Sequence, residues 1–115
     1  MLVWQKAMKL VERAYAVSKN FPTDERYALT SQLKRASVSV PSNIAEGYGR
    51  NSTIDYIRFL QIALGSLYEL DTQLELAARL GYASEDVTKD TLELCAEMEK
   101  MLIALISKLR AKTDR

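Results

Sequence analysis

Apolar side chains return at alternating intervals of four and three residues along nearly the whole chain, the period of an α-helix buried on one side. In the first stretch Val3, Ala7, Leu10, Ala14, Val17 and Phe21 form one stripe, and Trp4, Met8, Val11 and Tyr15 form a second beside it. Pro22 cannot continue that helix. Thr23, Asp24 and Glu25 then offer a capping oxygen and two carboxylates to the positive end of a second helix, predicted to start there. Its apolar positions, Leu29, Leu33, Ala36, Val40, Ile44 and Gly47, keep the period across Pro41, so a kink near Pro41 is expected, with a helix broken at Val40 as the competing reading.

Ser52-Thr53-Ile54-Asp55 has the form of a capping box and opens a third helix. Ile57, Leu60, Leu64, Leu67, Leu74 and Ala78 line its stripe, widened by Tyr56, Phe59, Ala63, Leu70 and Ala77. Gly81 is placed to end it in the left-handed conformation. Ser84, Glu85 and Asp86 then cap and charge a fourth, which carries Val87, Thr91, Leu94, Met98, Leu102, Leu105 and Leu109. No alternating β-type segment competes. Helices of about 25 residues run to roughly 38 Å, and connections this short force neighbours to run antiparallel. The predicted fold is all-α: one domain over residues 1–115, an up-down-up-down antiparallel four-helix bundle with helix two kinked near Pro41.

A bundle helix commits about three positions in seven to the core. The second stripe on helix one, and Tyr56, Phe59 and Ile62 on helix three, exceed that, which implies a homo-oligomer.

Composition narrows the chemistry. The 115 residues include no histidine and one cysteine, which excludes His-based triads, His general bases, His-ligated metals and a thiolate zinc site. No catalytic, metal-binding or cofactor-binding set is expected. No apolar run reaches the roughly 18 residues of a membrane span and no signal-peptide pattern opens the chain, so a cytoplasmic protein without a membrane partner is expected.

Three features carry candidate chemistry. Arg35, Ser39, Asn43 and Glu46 stack along one face of helix two, and antiparallel pairing about the Tyr48 to Ser52 turn would set Arg35 against Glu69 and Glu46 against Arg58 as partly buried ion pairs that fix register. A catalytic Glu46 with Arg35 binding an anion is the enzymatic alternative. Gly47-Tyr48-Gly49-Arg50 resembles a phosphate-cradling turn, but no strand precedes it and no Gly-Lys-Ser/Thr follows, so it reads as a loop needing positive φ. Cys95, without a His or Cys partner, reads as an inert small hydrophobe.

The charges are asymmetric once the topology is imposed. The end formed by residues 1–10, 38–64 and 100–115 holds nine bases (Lys6, Lys9, Arg50, Arg58, Lys100, Lys108, Arg110, Lys112 and Arg115) against three acids, Glu46, Asp55 and Asp114, within a chain whose net charge is only +1. Such a basic end would attract phosphate backbones. Lys6, Lys9, Arg50, Arg58, Lys108 and Arg110 are the candidate nucleic-acid contacts.

The stretch from Leu29 to Arg50, with Val40-Pro-Ser-Asn-Ile-Ala-Glu-Gly47, and the stretch from Phe59 to Leu74, with Gly65-Ser-Leu-Tyr-Glu-Leu70, resemble the family of 23S rRNA intervening-sequence proteins. The resemblance implies a bacterial cytosolic four-helix bundle assembled as a homopentamer. It also implies an accessory role, since accessory variability proteins of diversity-generating retroelements look like relatives that bind nucleic acid and a reverse transcriptase. The expected function is therefore a non-enzymatic oligomeric bundle that binds structured RNA or DNA through its basic end. The alternative is a protein-interaction scaffold with a partner such as a polymerase.

Overall fold

The first stripe of each predicted helix turns inward over most of its length. The computed structural model describes residues 1–113, which form α1 (Leu2–Ser18), a 3-10 turn (Thr23–Glu25), α2 (Leu29–Tyr48), α3 (Thr53–Arg79) and α4 (Glu85–Thr113). Leu10 of α1, Leu33, Val40 and Ile44 of α2, Leu60, Leu70 and Leu74 of α3, and Met98 and Leu102 of α4 are wholly enclosed. α1 packs on α2 and α4, and α3 packs on α2 and α4, so the helices form a four-membered ring around one core. The bundle measures 50 × 24 × 19 Å. Among the described residues, no helix is long and apolar enough to cross a membrane.

Side-chain bonds fix the directions. Tyr15 of α1 meets Lys34 of α2, with the ammonium 5.0 Å from the ring centre. Ser39 of α2 bonds Ser66 of α3 at 2.8 Å, and Lys6 of α1 pairs with Glu97 of α4. With the short connections between successive helices, these contacts agree with antiparallel neighbours, as expected.

Helix two does not begin at Thr23. Thr23, Asp24 and Glu25 form the 3-10 turn, and α2 starts four residues after Glu25. Ala28 offers the helix no side-chain cap, so Glu25 supplies one from a distance: its Oε1 accepts from the Leu29 N–H at 3.3 Å. Its Oε2 accepts from the Tyr82 hydroxyl at 2.7 Å, tying this turn to the α3–α4 turn. Of the two carboxylates that suggested a helix start, Glu25 thus caps α2 from the turn before it. α1 and α2 are 17 and 20 residues long, shorter than the uniform length expected.

α2 runs unbroken through Pro41. Ser52 Oγ accepts from the Asp55 N–H at 3.2 Å and Ser84 Oγ from the Val87 N–H at 3.2 Å, so both predicted caps form. Gly81 adopts φ +76° as expected. At the start of α4, however, the buried residue is Thr88 and Val87 is 53% exposed. Thr88 meets its polar demand locally, bonding the carbonyls of Ser84 at 3.2 Å and Glu85 at 3.1 Å.

Cys95 is buried in the core cluster. Burial first, and the nearby charge of Asp71 second, push its thiol up to about 12. Because the thiolate is the nucleophile, we expect a disulfide reagent at pH 8 to label native protein only as fast as it unfolds and urea-unfolded protein at once. Prompt labelling of the native fold would show that Cys95 is reachable.

Candidate nucleic-acid interface

The basic end is assembled by the bundle topology, and its arginines are largely committed. α1 and α3 start at the same pole, where the Tyr56 hydroxyl points at Met1 Sδ, 3.9 Å away. Leu67, Tyr68 and Asp71 of α3 share a small cleft with Cys95, Ala96 and Glu99 of α4. That antiparallel register carries Arg58 to the level of Lys108 and Leu109.

Arg50 bonds Glu46 one turn back at 2.6 Å, and Arg58 lies 3.6 Å from Asp55. Both guanidinium groups also flank Phe59, at 4.8 and 5.0 Å from the ring centre. Lys6 is taken by Glu97, eleven positions before Lys108 on α4. Lys9, Lys108 and Arg110 are exposed and form no ion pair among the described residues. Asp114 and Arg115, counted in the charge of this end, lie outside the described residues.

The expected Arg35–Glu69 and Glu46–Arg58 pairs do not form. Arg35 and Glu69 face one surface cleft together with Gln32, Ser66 and Gln73, but both are exposed. An exposed pair is worth at most about 1 kcal/mol, which leaves little to draw two long side chains together. Glu46 turns to Arg50 instead, on its own helix, because a partner four residues on is already adjacent. What locks the α2–α3 register is smaller. Ser39 bonds Ser66, and Asn43 Nδ2 donates to Ser39 Oγ at 2.9 Å and to its carbonyl at 2.8 Å. Ser39 and Asn43 of the predicted network are retained, Arg35, Glu46 and Glu69 fall outside it, and Ser66 is the partner the sequence reading missed. Glu46 is open to water and paired with Arg50.

The Gly47–Arg50 segment is also different from expectation. Neither Gly47 nor Gly49 has positive φ; α2 continues to Tyr48. Gly47 is needed for close approach: a Cβ there would lie 2.8 Å from Phe59 Cβ and 3.2 Å from the Tyr56 carbonyl oxygen. The segment offers no phosphate cradle.

The larger electrostatic pattern runs across the bundle. Residues 1–50, the α1–α2 hairpin, carry eight bases against four acids, whereas residues 51–113, the α3–α4 hairpin, carry seven against ten. On the acidic side Asp71 is pushed up by burial, then by the charges of Glu75 and Glu99. Counting by distance along the axis had hidden this, because Lys19, Arg26, Lys34 and Arg35 fall in the half with the most acids. The Arg26-Tyr27 dipeptide and the Tyr15 and Lys34 positions were the available signal.

An all-helical ring with no β-structure among the described residues, register held by small hydroxyls and charge divided between its hairpins, defines a helical-bundle protein. The sequence model of the 23S rRNA-intervening sequence protein family matches residues 1–104, and the chain belongs to that family. Its fold is similar to the crystal structure of a protein of unknown function from the S23 ribosomal protein family of Bacteroides thetaiotaomicron VPI-5482, with a TM-score of 0.82 and 28% identity. The likeness covers 90% of this chain and 97% of that one. No curated protein matches the chain.

Proposed function

We propose that the protein is a non-enzymatic, self-associating bundle of the cytoplasm that binds structured RNA or DNA through its basic end. The observation that carries the reading is that Lys108 and Arg110 stand exposed, without ion pairs among the described residues, at the end of the bundle where α1 and α3 begin, with Lys9 exposed further along α1. Cations in this state release counterions from a phosphate backbone on binding. Trp4 and Met8, at 37% and 43% exposure, leave α1 an uncovered apolar strip that a second copy would cover. The pentameric state is part of this proposal.

The test is titration of an RNA hairpin against salt. Lys108→Glu with Arg110→Glu is expected to weaken binding at least tenfold at low salt, and to lower the slope of log affinity on log salt by about 0.9 per lost contact. Arg50→Glu should act less, since Glu46 already neutralises that arginine. Equal affinity for wild type and the Lys108, Arg110 double variant would remove the pole as the site. Sedimentation of Trp4→Glu with Met8→Glu, expected to run as monomer, tests the assembly.

A further inference from the structure

We infer that the groove between α1 and α2 is a second binding site, made for a single-stranded segment of nucleic acid whose bases stack on Tyr27 and Tyr15 and whose phosphates meet Arg26, Lys34 and Arg35. The inference rests on the reading that this protein binds nucleic acid, and places part of that binding away from the pole.

Two adjoining clefts run along this hairpin. The larger, of 590 Å³, is lined by Tyr15, Arg26, Tyr27, Lys34, Arg35 and neighbouring hydroxyl residues. The smaller, of 330 Å³, shares Tyr15, Arg26, Thr30 and Lys34 with it and adds Lys19. Neither cleft is lined by any carboxylate. None of Lys19, Arg26, Lys34 and Arg35 forms an ion pair among the described residues, in contrast to Lys6, Arg50 and Arg58. Cations gathered along clefts that no carboxylate lines repel one another, and a polyanion relieves that repulsion.

The aromatic component selects the kind of anion. Tyr27 is 87% exposed, an unusual position for a large ring. Arg26 lies 5.4 Å from its ring centre and Lys34 lies 5.0 Å from that of Tyr15. Each ring is therefore paired with a cation, the arrangement that lets a base stack while its own phosphate is neutralised alongside. Thr30, which borders both clefts, leaves its buried Oγ1 without a hydrogen-bond partner. A duplex buries its base faces in its own stack and cannot use the tyrosines, which is why the groove calls for an unpaired strand.

The test measures binding of a fluorescent ten-nucleotide single strand and of an RNA hairpin, in parallel, to the full chain. Tyr27→Ala is expected to weaken single-strand affinity about tenfold and Tyr27→Phe to leave it unchanged, because the ring and not the hydroxyl is used. Lys34→Ala should lower the single-strand salt slope by about 0.7. Hairpin affinity should fall far less in Tyr27→Ala and Lys34→Ala, since only the short loop of a hairpin offers unpaired bases. Wild type that binds the hairpin but not the single strand would overturn the groove while leaving the pole reading intact. Single-strand binding that survives in the Lys108, Arg110 double variant supports the groove whatever the pole does. Competition by a mononucleotide as strong, per mole, as by the strand would overturn the strand as ligand. Loss of self-association in Lys34→Glu with unchanged strand affinity would make the groove a contact between copies, and would also overturn it.

Discussion

Replacing Gly47 by valine is expected to destabilise the bundle by about 3 kcal/mol, measured by chemical denaturation. The reason is proximity. A Cβ at this position would sit 2.8 Å from Phe59 Cβ, 3.0 Å from Tyr56 Cδ1 and 3.2 Å from the Tyr56 carbonyl oxygen. Two of these are at the root of a side chain or on backbone, so they cannot swing aside, and relief requires α2 and α3 to separate. Overpacking of this kind typically costs about 1–3 kcal/mol, and a β-branched residue adds two methyl groups to the collision. Gly47→Ala separates this account from one based on backbone freedom. A helical glycine replaced by alanine ordinarily gains about 1 kcal/mol, whereas here the clash should leave the variant less stable than wild type. Gly49 is the control: its added Cβ meets nothing nearer than 3.7 Å and its φ is −80°, so Gly49→Ala should be neutral or stabilising. A stabilised Gly47→Ala would refute the close-approach argument.

Leu70→Ala is expected to cost about 3 kcal/mol, a large share of the roughly 5–15 kcal/mol that holds a domain together. Leu70 has no exposed surface, and its neighbours along the α3 stripe, Leu67 and Leu74, are equally enclosed. Truncation there removes apolar area from the core and leaves a cavity between rigid helices; such changes span about 2–5 kcal/mol according to how far the site can collapse. Leu76 is on the same helix and 44% exposed, so Leu76→Ala should fall within about 0.5 kcal/mol of wild type. If the two leucines cost the same, the inward assignment of the α3 stripe is wrong.

The helices and their order were legible because a 3.6-residue apolar period sustained over long stretches has few other solutions. The punctuation was readable where it acts locally, as at Ser52, Ser84 and Gly81. It failed where the partner is distant. Glu25 caps α2 from the preceding turn and accepts from Tyr82, 57 positions further on, a pairing that no local pattern encodes. The ion pairs failed for a related reason. Facing positions were inferred correctly enough to bring Arg35 and Glu69 to one cleft, but long charged side chains in water choose between a cross-helix partner and a same-helix one by small margins. Ser39 and Ser66, short and part-buried, had no such choice. The charge division between hairpins stayed hidden because it depends on which helices are neighbours around the ring, information that a count along the axis discards.

That division has a consequence at a distance. A molecule positive on one flank and negative on the other carries a transverse dipole, and a polyanion exerts a torque on it. The α1–α2 flank would be turned toward a polyanion before any contact formed, favouring encounters through that hairpin. The effect belongs to dilute electrolyte, since at about 0.15 M the Debye length is only about 8 Å, well short of the 19–24 Å across which the two flanks are set.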